Sequence, residues 1–169
     1  MINKKLKQKI GFTIVELQVY MGIFAILLIV LTQIFVTTLN TQLTSQATSE
    51  VSQDSRYILA RMSYDIHRAD ELLLPPNIGN QQDKLRFKIG TDTYEYNQTN
   101  NNLILNVNGT SYQLNSYDNN ISNLQFKRLG NTTTSSPIVG ISFTLKSLVQ
   151  KPSGQEIKNI ETVIGLRLE

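Results

Sequence analysis

Glu16 is the only charged side chain between Lys9 and Glu50, and it stands at the mouth of an apolar run. From Leu17 to Val36 twenty residues carry no charge, and only Gln18, Thr32 and Gln33 are strongly polar. A carboxylate beside hydrocarbon costs about 2.5–3.5 kcal/mol at a helix centre and less near the interface, so its position there asks for a reason. Thr13 and Glu16 have the T-x-x-E spacing of a capping box, and the dipole of a helix favours an acid in its first turn. The other reason is a cation supplied from elsewhere, since an ammonium and a carboxylate in low dielectric are both penalised when left alone. The two roles are compatible, and both are charge pairing rather than bond making.

The remaining reactive side chains are few. The single histidine, His67, has Asp65, Arg68 and Asp70 near it in sequence, but one His without cysteine or clustered acids makes a poor metal site and reads as a surface or half-buried residue. With no cysteine there is no disulfide and no thiolate chemistry. Gly-x-Ser-x-Gly, Walker, dinucleotide and HExxH patterns are missing from the sequence. Asp92, Glu95 and Asp118 are scattered and lack EF-hand spacing. Tyr94, Tyr96, Tyr112 and Tyr117 could stack on bases, yet few basic residues interleave with them, so packing on a sheet face is expected. The triplets at Asn97, Asn108, Asn120 and Asn131 match N-x-S/T at the rate expected of an Asn- and Thr-rich chain. No catalytic residue, metal ligand or cofactor is expected.

The order of features around Glu16 carries a resemblance. Lys4, Lys5, Lys7 and Lys9 are followed by Gly11-Phe12-Thr13-x-x-Glu16-Leu17 and then directly by the apolar run. This resembles the class III signal of type IV pilins and of the pseudopilins of type II secretion systems. An ordinary secretory signal places its cleavage site after the apolar stretch, whereas here the site precedes it. The resemblance implies cleavage between Gly11 and Phe12 by a prepilin peptidase, N-methylation of Phe12, and a filament-assembly role for Glu16, whose partner is the new α-amine of Phe12 on a neighbouring subunit. Among minor subunits, Arg61-Met-Ser-Tyr-Asp-Ile-His-Arg-Ala69 is similar to a stretch of the J-type pseudopilin. The implied partners are other pilin or pseudopilin subunits, the peptidase, an inner-membrane assembly platform and lipid, with nucleic acid only if the filament serves DNA uptake. No residue matches the calcium motif of some family members.

The elements that must position these residues follow from periodicity. Without any family knowledge, twenty apolar residues at 1.5 Å each give a helix of about 30 Å, the thickness of a bilayer's hydrocarbon core, with lysines holding the N-terminus in the cytoplasm. The four leader lysines also account for the basic balance: without them 12 basic residues face 13 acidic ones, so a nucleic-acid surface is not indicated. After Val36 the chain is polar but free of Gly and Pro, which reads as continued helix. Leu59, Met62, Ile66, Ala69 and Leu73 then recur as one stripe, with Arg56, Arg61, Asp65, Arg68 and Asp70 mostly off it, and Pro75-Pro76 ends the helix.

From Lys84 the period becomes two. Leu85/Phe87/Ile89, Tyr94–Tyr96, Leu103/Leu105/Val107 and Ser111–Leu114 read as strands, with Asn108-Gly109 a hairpin turn. Ile121–Leu129 suggests a further strand with a bulge after Ser122, followed by Val139–Leu145 and Ile160–Leu168. The expected fold is α+β: a long N-terminal helix, membrane-spanning in its first half, packed by its second half against a mostly antiparallel sheet. The expected divisions are a leader at 1–11, an assembly helix at 12–36, its extramembrane part at 37–74 and a β-rich domain at 75–169. A single-pass anchored binding module is the alternative. A secreted domain cut near Ser45-Gln-Ala47 ranks last, because its apolar region exceeds a normal signal core.

Overall fold

The computed structural model describes residues 11, 13–130 and 137–166. Residues 1–10 of the expected leader, Phe12, Asn131 and the last two residues of the expected strand Ile160–Leu168 lie outside these. The chain divides into two compact units between Thr41 and Gln42.

One helix, α1 (Ile14–His67), runs from the first unit into the second. Thr13 caps it: its Oγ1 accepts the Glu16 amide at 3.2 Å, and its carbonyl accepts Leu17 N–H at 3.1 Å. In the first unit every large apolar side chain from Ile14 to Val36 is exposed, on all sides of the helix. The polar groups there are satisfied locally. Thr32, Thr37, Thr38 and Thr41 each donate a hydroxyl to the carbonyl four residues back, at 2.8–2.9 Å. Such internal pairing is what a helix needs where no water is available. The segment is long and apolar enough to cross a membrane.

In the second unit Ala47, Val51, Ile58, Met62 and Ile66 form one buried face of α1. The helix ends at His67, not at Leu73. Arg68 and Ala69 donate to Asp65 and Ile66, three residues back, tightening the last turn. Asp70 N–H then bonds Lys88 O at 2.9 Å. Residues 71–74 thereby enter a strand, β1 (Glu71–Leu74), so the helical part of 37–74 stops short. Pro75 favours this outcome because the residue before a proline is pushed out of helical geometry.

The remaining strands are β2 (Gln81–Gln82), β3 (Leu85–Ile89), β4 (Asp92–Thr99), β5 (Asn102–Val107), β6 (Thr110–Gln113), β7 (Asn119–Leu129), β8 (Ile138–Lys151) and β9 (Gly154–Gly165). They form two antiparallel sheets, ordered β1-β3-β4-β5-β6 and β2-β7-β8-β9, rather than the single sheet expected. Asn108 and Gly109 have φ of 50° and 89°, the left-handed pair that a tight β5–β6 hairpin requires. Asn100 and Asn101, at 50° and 63°, do the same between β4 and β5. The bulge in β7 falls between Ser122 and Gln125, with Asn123 at φ 54°. Strands β8 and β9 extend well past the apolar alternation that announces them.

The core lies between the buried face of α1 and the inner faces of both sheets. Phe87, Tyr96, Phe126, Ile58 and Met62 are its largest fully buried members. Phe87 stacks on Tyr94 at 5.6 Å and on Tyr96 at 6.1 Å between ring centres.

Candidate functional site

The site singled out by the sequence is the start of α1. Gly11 is exposed, with nothing among the described residues near the place a Cβ would occupy. Neither crowding nor a left-handed backbone demands glycine here. Glu16 is exposed in the first helical turn. Its backbone N–H is held by Thr13, and its carboxylate accepts the Tyr20 hydroxyl at 3.2 Å. Tyr20, one turn on, thus gives the carboxylate a neutral donor without neutralising its charge. Phe12, the expected source of a cation, lies outside the described residues. What this end offers is an exposed anion on a helix whose flank is apolar all round.

Comparison with family models, with curated proteins and with solved structures gives no match.

The second unit contains polar groupings that the sequence did not announce. Asp65 reads as an off-stripe surface acid, yet it is 1% exposed. Its Oδ2 accepts Arg61 Nε at 2.8 Å and the Tyr96 hydroxyl at 2.6 Å. Burial above all, and then the bond to Asp65, push the Tyr96 hydroxyl well above its ordinary range. The i,i+4 spacing of Arg61 and Asp65 was a visible signal of an ion pair, but the tyrosine that completes it comes from β4. About three turns before Asp65, Asp54 accepts Ser116 N–H at 2.8 Å, Ser116 Oγ at 2.9 Å and Asn119 Nδ2 at 2.9 Å. This carboxylate ties the β6–β7 connection to α1. Both groupings join the helix to the sheets.

The other acids considered for chemistry are likewise engaged in structure. Partial burial pushes the Glu95 carboxyl up, but hydrogen bonds from Arg86 and Asn97 and the charges of Arg86 and Lys84 hold it below its usual range. Asp92 accepts Asn108 Nδ2 at 2.7 Å across the hairpin ends. Asp118 contributes its carbonyl to Leu148 N–H. His67 is exposed at the end of α1. Among the described residues no three metal-ligating side chains converge. Tyr94 and Tyr96 pack on a sheet face as expected. Tyr112 and Tyr117 do not, being 52% and 87% exposed: Tyr112 stands on β6, the last strand of the first sheet, and Tyr117 in the turn that leads into β7.

Proposed function

We propose that the chain is a minor pilin or pseudopilin, a non-catalytic subunit of a type II secretion pseudopilus or a type IV pilus-like filament. The observation that carries this reading is the sequence Gly11-Phe12-Thr13-x-x-Glu16 set at the start of α1, immediately before a helix that is apolar on every side. Three features support it. Gly11 has no packing or backbone reason to be glycine, so its requirement is sought in recognition by a peptidase. Glu16 keeps a solvent-facing charge where a serine would cap at lower cost. The apolar flank is not packed against any of the described residues and suits lipid first and neighbouring helices afterwards.

In this reading a prepilin peptidase cuts between Gly11 and Phe12 on the cytoplasmic side and methylates Phe12. The new ammonium of one subunit meets Glu16 of the next. Two charges a few ångströms apart in a low-dielectric bundle fix the axial register, because a slip of one turn leaves both unpaired. The J-type likeness of Arg61–Ala69 supports a minor subunit over a major one. The sheet-rich outer unit and the lack of a cysteine-stapled loop agree with that.

The capping bond from Thr13 and the Tyr20 contact favour a second reading, an anchored binding module in which Glu16 only completes the helix start. The deciding experiment is the intact mass and N-terminal sequence of the protein isolated from its native membrane. A chain that begins at N-methylated Phe12 is the expected result. A chain that retains Met1 would leave the anchored module as the better reading.

A further inference from the structure

A sheet edge presents unpaired N–H and C=O groups to any passing strand, and monomeric proteins shorten, bend or cover such edges. Three of the four edges in this fold are treated that way. Strand β1 has four residues, a register shift between Leu72 and Leu74, and Pro75-Pro76 directly after it. Strand β6 has four residues. At the β7 edge, the two residues of β2 and bonds to Gly79, Asn80 and Asn101 occupy the strand.

Strand β9 is different. It is 12 residues long, and its pairing with β8 runs without a shift from Ile157 to Gly165. Leu166 N–H donates to Pro137 O at 2.9 Å, which fixes the phase of the ladder. In an antiparallel pair, hydrogen-bonded and non-hydrogen-bonded residues alternate. Residues 158, 160, 162 and 164 therefore bond β8, while the amides and carbonyls of Ile157, Asn159, Glu161 and Val163 point away from it. Among the described residues no backbone partner meets those groups. Ile157 and Val163 also expose 57% and 58% of their surface.

The space beside this edge is shaped. A cleft of about 370 Å³ lies between the end of β9, Thr162–Gly165, and the flank of α1 formed by Leu59, Ala60, Ser63 and His67. The floor is small and mostly uncharged, with Ala60 and Ser63 leaving room for side chains entering from above.

We infer that β9 is an acceptor edge for strand addition: an extended segment of another protein chain pairs with Ile157–Val163 as a fifth strand of the second sheet. The open backbone groups call for an extended backbone, and the cleft sets which side chains it carries. Beside Thr162 and Val163 the residues turned toward α1 meet Leu59 and Ala60 and are small or branched apolar, whereas nearer Ile157 the same face carries Lys158, whose Nζ donates to Ser55 Oγ at 3.0 Å. Those between lie beside Ile157 and Val163, with no acid near Glu161, where like charges would repel. This does not depend on the filament reading, since an anchored module would use the same edge.

The test uses the full chain in detergent micelles and a synthetic seven-residue peptide alternating valine with threonine and lysine. Amide hydrogen exchange is read at Ile157, Asn159, Glu161 and Val163. The peptide is expected to slow exchange at these four amides about tenfold or more, with little change at 158, 160 and 162, which β8 already protects. The same peptide N-methylated at the alternate amides that face β9 is expected to have no effect. A control variant, Glu161→Pro, removes one outward N–H and none of the ladder to β8. It is expected to retain the thermal midpoint of the parent within about 3 °C and to lose the peptide response. Exchange at the four amides that is unaltered by the peptide would overturn the inference. So would amides already slow in the chain alone, which would mean that the edge is covered, or slow in proportion to protein concentration, which would make a second copy the occupant.

Discussion

At the scale of single residues, the Asp65–Tyr96 contact is the most consequential one in the second unit. A carboxylate at 1% exposure is tolerable only because Arg61 and the Tyr96 hydroxyl both donate to it. Removing the hydroxyl leaves the acid with one partner, so Tyr96→Phe is expected to cost about 1–3 kcal/mol near pH 7. The same contact makes stability fall with alkali. Burial and the bond to Asp65 raise the hydroxyl of the folded state above the 10.0 of a free tyrosine. The folded protein therefore holds this proton more tightly than the unfolded chain. Stabilisation from it is complete below about pH 10 and declines as pH rises further, by at most about 1.4 kcal/mol per pH unit. Urea unfolding of parent and Tyr96→Phe between pH 7 and 11 tests both parts: the stability gap is expected to hold to about pH 10 and then narrow. A gap that is constant to pH 11 would remove Tyr96 as the source of the alkaline slope.

At the scale of elements, the start of α1 separates two roles that the sequence superimposes. Thr13→Ala removes the cap, worth about 1 kcal/mol at a helix end, but keeps the Glu16 charge. Glu16→Gln keeps an oxygen for the Tyr20 hydroxyl and loses the charge. If the carboxylate sets filament register, Thr13→Ala assembles nearly as well as the parent while Glu16→Gln inserts, is cleaved and fails to enter filaments. Recovery of each variant in sheared filaments measures this, and normal assembly of Glu16→Gln would leave only the cap. Other elements were legible to different depths. The Asn108-Gly109 hairpin and the bulge after Ser122 could be read directly, because local backbone chemistry alone decides them. The end of α1 could not: Ala69 and Leu73 continue the helical spacing, and the competing bond from Asp70 to Lys88 is made by a strand 18 residues on. Alternation shows that a segment is a strand but not which sheet receives it, so the division into two sheets was invisible. Asp65 looked like a surface acid for the same reason, its partner Tyr96 being 31 residues distant. At Gly11 and Glu16 the signal lies wholly in short-range order, and the part of it that the structure describes is the bond from Glu16 N–H to Thr13 that starts the helix.

At the scale of the whole molecule, the two units differ in what holds them. The described part of the first is a helix whose apolar side chains are exposed from Ile14 to Val36, and nothing among the described residues covers them. The second contains the continuous core, both sheets and the Asp54 and Asp65 ties between helix and strands. Residues 42–169 carry 12 basic and 12 acidic side chains, so this unit has no net charge to resist association near neutrality. A chain beginning at Gln42 is therefore expected to fold without detergent and to unfold in one cooperative transition. Its midpoint should match that of the second unit in the full chain, because every buried apolar residue of the core lies beyond Thr41. It should also show the same slow-exchanging core amides as the full chain in micelles. Its solubility should be lowest near neutral pH and rise on either side, as the carboxylates or the lysines lose their charge. Calorimetry of the two forms, with light scattering across pH, measures these outcomes. A shortened chain that exchanges all its amides rapidly would mean that the apolar helix supplies folding energy to the sheets as well as an anchor, and the division at Thr41 would then be one of shape and not of stability.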